Sequence, residues 1–388
     1  MTTVQLGCPI PTMQFEGAVI QRTHPLIMSK PKRPHPKTTV PKGPSVVTAP
    51  SANPPLTKLL APNARDDLLK AIEQARSSRV LTYVTAARPD VGAKMALDTI
   101  PVFQEHLDAI GHQERLDLFL YTRGGHTVAA PRVAYLMREY CDHLAILVPR
   151  FAHSAGTSLA LAADEIVMHP MGELGPIDPS VANQFNPADA TDATGQTKIP
   201  ISVEDVSGFL AMVRDLARVP PERVAETVTV LAEHIHPLSL GNVYRQYLLI
   251  RTMGKRLLET HLDPVQDEDR ISHIMDMLTE KFYYHEYPIS RWEARENVRL
   301  PVAEPDRKLE TMLWDLYNAY DSAMALGEAV VAPASTSGVS QVQIDSAAIE
   351  SLGRLHVSRV SGALTTTTRS GQPPNVDLAI GGSWKRLV

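Results

Sequence analysis

Cysteine is nearly absent: the 388-residue chain has two, Cys8 and Cys141. A disulfide framework is thereby excluded as the organising device, and a reducing compartment is the natural setting. Long apolar runs are missing too. No stretch reaches the roughly 18 residues that a membrane-spanning helix needs. The N-terminus lacks the charged segment and apolar core of a secretory signal, so the expectation is a soluble, cytoplasmic protein without a membrane span. Surplus positive charge is also lacking: 38 Lys and Arg against 43 Asp and Glu leave a net charge of -5, which argues against general nucleic-acid binding. There is no GxGxxG turn, no internal repeat and no metal-ligand spacing, with His112, His126 and His153 too scattered to form a zinc set. No metal or other cofactor is expected.

The composition that remains is that of a globular protein, 44% hydrophobic and 21% charged. Residues 1–55 are proline-rich, with a basic KPKRPHPKTTVPK segment that prolines keep from being helical; they read as a flexible arm. Residues 56–330 hold the periodic patterns of a single α/β domain. Residues 331–388 read as a linker, APASTSG, and a C-terminal extension of weak strands or disorder. Val80–Thr85 suits a first core strand, and Ala93–Ile110 an amphipathic helix. Further helices are expected over 201–217, from 221 to 262 with a break near His236-Pro237 and Gly241, and over 271–281 and 308–325.

The chain is organised around Leu116–Pro179. Two apolar runs, LFLY and LAILVP, have the length of buried strands. The first ends in Gly124-Gly125 and leads into a helical pattern. The second is followed by His153-Ser154-Ala155-Gly156 and another short apolar helix. The first N–H groups of a helix have no partner within it and carry partial positive charge. A serine at such a turn therefore stands beside donors for an oxyanion, and a glycine turn at the neighbouring strand end lets a carbonyl approach its backbone. That arrangement suits acyl transfer with Ser154 as nucleophile. The ordinary reading is that Ser154 merely caps a helix.

The motifs YTRGGHTVAA, VPRFAHSAGTSLALAADEIVM, LGPIDPS and YYHEYPISRWEARENVRLPV together resemble the serine dehydrogenase proteinase family, relatives of signal peptide peptidase A. The resemblance spans about Leu56–Val302. It implies the Clp protease/crotonase fold: an α/β spiral of repeated β-β-α units, here with added C-terminal helices. Arg123-Gly124-Gly125 departs from the family's usual Pro-Gly-Gly, which bears on the substrate groove. The oxyanion donors implied are the N–H of Ala155 and one from Gly124 or Gly125, with substrate backbone added as a strand beside the glycine turn.

A serine hydroxyl needs a group to take its proton. The histidine of Clp-type triads has no counterpart in LGPIDP, and the Ser-Lys relatives point to Lys198, after the polar loop 180–195. Lys255, His126 and His153 are alternative bases, and Asp178 is a candidate acid or an ordinary turn-capping aspartate. The leading expectation is a soluble serine endopeptidase with a Ser154–Lys198 dyad, acting on peptides or unfolded proteins as a homo-oligomer. The alternatives are a catalytically silent scaffold of this fold and a crotonase-like acyl-CoA enzyme.

Overall fold

The computed structural model describes residues 56–178, 180–181, 183–189, 197–329, 338–367 and 375–388. The proline-rich arm and all of the APASTSG segment but Gly338 lie outside these residues. Leu56–Lys58 (β1) precedes helix Asp66–Arg76 (α1), which buries Leu69 and Ile72 and ends at Ser77 in the left-handed region. Arg79–Thr85 (β2), Ile100–Ile110 (α2), Gln113–Tyr121 (β3), Ala129–Arg138 (α3) and Cys141–Val148 (β4) then alternate. The helix expected from Ala93 begins only at Ile100. Met95 instead lies extended and pairs with Gly125, which takes the chain before it out of helical reach.

Phe151–Ala152 (β5), Ala155–Ala160 (α4), Glu165–Met168 (β6), Glu173–Leu174 (β7) and Ser180–Val181 (β8) follow. Ile201–Ser202 (β9) leads into Val203–Ala211 (α5), whose start is fixed by a capping box between Ser202 and Asp205. Val224–His234 (α6) and Pro237–Leu258 (α7) are separated at His236, and α7 continues through Gly241, where a break was expected. Glu268–Asp276 (α8), Ile289–Ser290 (β10), Arg291–Glu296 (α9), Val302–Ala303 (β11) and Arg307–Met324 (α10) complete this part. Three long strands close the chain: Gly338–Ser351 (β12), Arg354–Thr367 (β13) and Asn375–Arg386 (β14).

The main sheet runs β11-β6-β4-β3-β2-β12-β13-β14, with β1 beside β12. Strands β2, β3, β4 and β6 are parallel and joined through helices, as the fold expectation requires. Their residues are apolar on both faces because helices cover both: Leu118, Leu120 and Ile146 face one apolar cluster with α2 and α3, Phe119 and Leu147 another with α1 and α10. Strands β5, β7 and β10 form a small second sheet.

The reading of the last fifty residues as weak strands or disorder is corrected. β12 pairs antiparallel with β2 over Ala347–Ser351, inside the main sheet. Glu350 on β12 meets Arg65 through two hydrogen bonds of 2.6 and 3.0 Å, and Tyr320 of α10 donates to the same carboxylate at 2.5 Å. All three side chains are buried, so these charges are held by one another rather than by water.

Candidate active site

Two turns meet at the carboxyl ends of β3 and β4. Thr122 N–H donates to Phe151 O at 2.9 Å and His153 N–H to Thr122 O at 3.1 Å, which laces the glycine turn to the serine turn. The Thr122 hydroxyl oxygen accepts from Thr85 at 2.8 Å and from Gly124 N–H at 3.0 Å. Contact here is close enough to demand glycine. A Cβ on Gly156 would stand 2.7 Å from Thr122 Cγ2, and one on Gly124 (φ 101°) would stand 2.9 Å from Ser154 Cβ and 3.1 Å from Ala155 N.

Ser154 itself has φ 51° and ψ -110°. For a residue with a Cβ this is a strained conformation, costing on the order of 1–3 kcal/mol. The surrounding ladder holds it, and Ser154 lines the cavity beside the turn. Ser154 Oγ makes no hydrogen bond among the described residues and does not cap α4. The ordinary capping reading therefore fails. Ala155 N–H, the first of α4, is also without a partner among the described residues. Across the gap, Gly124 C=O accepts from Met95 N–H at 2.9 Å and His126 N–H donates to Met95 O at 2.8 Å. Successive peptide groups of an extended chain face opposite ways, so Gly125 N–H faces away from Met95, and it too has no partner among the described residues. Of the two glycines, Gly124 has its N–H occupied by Thr122, which leaves Gly125 and Ala155 as the unengaged donors.

These groups open on a cavity of about 660 Å³ lined by Ser154, Ala155, Gly124, Gly125 and His126, and on the far side by Asp178 and His285. Thr157 of α4 donates to Ala152 O at 2.7 Å and accepts from Gly175 N–H at 3.0 Å, so the serine helix pins the start of GPIDP. Ile177 N–H donates to Leu278 O at 3.0 Å, tying that turn to the segment that reaches His285. Asp178 is 2% exposed, and its Oδ1 lies 2.7 Å from His285 Nδ1, while its Oδ2 is buried without a partner. Asp178 holds a proton on His285, whose pKa is raised, with Glu204 and Glu286 adding to the effect. Burial, with Asp178 beside it, pushes the Glu204 carboxyl up to about 7.

The other sequence candidates fall elsewhere. His153 is buried under Phe151 and Arg123, 3.3 Å from the latter's guanidinium; burial, then Arg123 and His285, push it down to about 4. Its Nε2 has no hydrogen bond. His126 is exposed at the cavity's edge. Lys198 pairs with Ala188 as an isolated bridge, half-buried and outside the cavity lining. Lys255 is half-exposed on α7, 3.9 Å from Glu259, and also outside the lining. The lysine that does line the cavity is Lys94, exposed at its rim. Arg123 lines it as well, with its guanidinium stacked 3.8 Å over Phe151. Sequence reasoning missed His285. It sits inside YYHEYP, a stretch that carries part of the resemblance, but its link to Asp178 exists only after folding. Among the described residues no three His, Cys, Asp or Glu are grouped to hold a metal ion, and no helix is long and apolar enough to cross a membrane.

Fold and site define a ClpP-like α/β protein with a serine at a strained strand-to-helix turn. Residues 52–234, just under half of the chain, match the family of ClpP-like SDH-type serine proteinases. Two uncharacterized proteins of Methanocaldococcus jannaschii are similar. One is 26% identical over 244 residues, covering 60% of this chain and 71% of the relative; the other is 31% identical over 119 residues, covering 29% and 41%. Among solved structures, two variants of the 1510-N membrane-bound stomatin-specific protease, one with a substrate peptide, are 16% identical with TM-scores of 0.34 and 0.33. Each match covers 56% of this chain, and 79% and 74% of theirs.

Proposed function

We propose that the chain is an endopeptidase that cuts peptide bonds through an acyl-enzyme on Ser154. The observation that carries this reading is the convergence of a strained, unbonded serine hydroxyl and two unengaged N–H groups, of Ala155 and Gly125, on one cavity. Attack by Ser154 Oγ on a carbonyl carbon moves charge onto the carbonyl oxygen. Two fixed donors stabilise that charge without having to reorganise, each contributing about 10²–10³ in rate. The extended 124–126 segment, paired with Met95 on one side, offers Gly125 on the other to an added substrate strand.

The resemblance implies a Ser–Lys dyad with Lys198 as base. Its partial burial and its lack of an ion pair among the described residues support that role, since a lysine base must act neutral. A second reading of the base is favoured by the cavity itself, where His285 stands on Asp178. Self-association is supported by the apolar residues Leu238, Tyr244, Leu248 and Leu249 exposed on α7. Sedimentation of the purified chain, expected to give an oligomer, tests this.

The test of function is release of labelled peptides from casein by the full chain, lost in Ser154→Ala. Turnover of an acyl-CoA without proteolysis would favour the crotonase-like alternative. Absence of both activities, with a folded chain, would favour the scaffold.

A further inference from the structure

We propose that Arg123, with Lys94 beside it, makes this cavity select substrates that carry an Asp or Glu side chain within two residues of the scissile bond; this rests on the cavity being the peptidase site. The charges on its lining do not balance one another. Arg88 is 4% exposed and donates to Val91 O at 2.8 Å and Asp345 O at 3.3 Å, with the charges of Asp90 and Asp345 offsetting its own. Asp178 is met by His285 at 2.7 Å. Arg123 and Lys94 remain. Both line the cavity and are exposed, and neither stands in an ion pair among the described residues.

Backbone pairing keeps both cations at the strand that would receive the substrate. Gly124 C=O accepts from Met95 N–H at 2.9 Å, so Lys94 precedes one end of that bond and Arg123 the other. Gly125, offered to an added substrate strand, follows directly. The Arg123 guanidinium is stacked 3.8 Å over the Phe151 ring, and its Nη1 lies 3.3 Å from His153 Nδ1. A guanidinium can only donate, so Nδ1 accepts; burial first, and Arg123 next, hold that imidazole neutral, pushed down to about 4. Stack and bond together fix the plane of the fork. Its Nε and Nη2 groups have no hydrogen-bond partner among the described residues.

A planar fork with free donors matches a carboxylate, which it binds through two parallel hydrogen bonds. His153 adjoins Ser154, and an extended substrate advances about 3.3 Å per residue. The fork therefore meets side chains from the first or second residue beside the scissile carbonyl. Lys94 adds a second positive charge to the same strand, which strengthens the attraction of an acidic residue and repels a basic one.

The test is cleavage, by the full chain, of synthetic peptides blocked at both ends and built around a bond first mapped in casein. The peptides come in pairs that differ only by Glu or Gln at one of the two positions on either side of that bond. At one of these positions Glu is expected to give a kcat/KM about 10-fold above Gln, expressed in KM. That ratio should shrink in about 1 M salt, where screening acts within about 3 Å. Arg123→Gln should bring it to about one. If Arg123→Gln does not fold, Arg123→Lys, which keeps the charge and loses the fork, should lower the ratio at least about threefold. Equal cleavage of every Glu and Gln pair would overturn the proposal. So would a ratio that survives in Arg123→Gln, or one that appears only when the C-terminus is left free. Fluorophosphonate labelling of Ser154 is read alongside. Cleavage and labelling without selection would sink the acidic preference alone, whereas loss of both from the folded chain would sink the peptidase reading and this proposal with it.

Discussion

The two walls of the cavity are built differently. The wall bearing Ser154, Gly124 and Gly125 is made of backbone: strand ends laced by main-chain hydrogen bonds, with glycines where a Cβ would collide. The opposite wall, with Asp178 and His285, is made of side-chain charges drawn from two distant parts of the chain, and Glu204 acts on both from outside the lining. Main-chain geometry fixes where the carbonyl would sit, and ionisation fixes when a proton can leave. Perturbing the first should act at every pH, whereas perturbing the second should act through pH.

The largest effect is expected on the backbone wall. A Cβ on Gly125 would stand 2.1 Å from Met95 O, so Gly125→Ala must break the pairing that aims its N–H. Loss of labelling by at least about 10²-fold, equal at pH 6 and pH 9, is the expected result. A pH-dependent loss would contradict the division between the walls.

That division also explains what was legible. Ser154, Ala155 and the glycine turn were readable because a strand, a turn and a helix start are contiguous in sequence, and their hydrogen bonds follow from local geometry. Choosing Gly125 over Gly124 was beyond reach, since it depends on Thr122 Oγ1 and on Met95. Asp178 was readable as a residue of a rigid turn but not as the partner of His285. The parallel core β2-β3-β4-β6 was visible in its apolar runs. The terminal meander was misjudged because its threonines and serines look solvent-facing, although Ala347–Ile349 and Glu350 are buried against β2 and Arg65.

Next in size is the buried pair that holds this meander. Glu350→Ala leaves Arg65 buried without its counter-charge, and a loss of about 3–5 kcal/mol in denaturant unfolding is expected. Retention of stability would show that β12 is not part of the core.

A smaller, pH-gated effect is expected at Glu204. Its folded value, raised from 4.5 to about 7, means that the folded chain holds this proton more tightly than the unfolded one. Its destabilising effect is absent at low pH and grows as pH rises through that window. Glu204→Gln should leave melting unchanged at pH 4 and raise Tm at pH 8, with about 2–4 °C for each kcal/mol relieved. An equal rise at both pH values would contradict burial of its charge.

The smallest is an exposed pair used as contrast. Arg223 meets Glu226 at 2.7 Å on the solvent side near α6. Arg223→Ala should leave the unfolding midpoint and the labelling rate unchanged.

Mapping a fluorophosphonate adduct by peptide mass spectrometry decides whether Ser154 is the nucleophile. A single adduct on Ser154, absent from denatured chain, is the predicted result. An adduct on another residue such as Ser158, or none on an otherwise folded chain, would contradict the account.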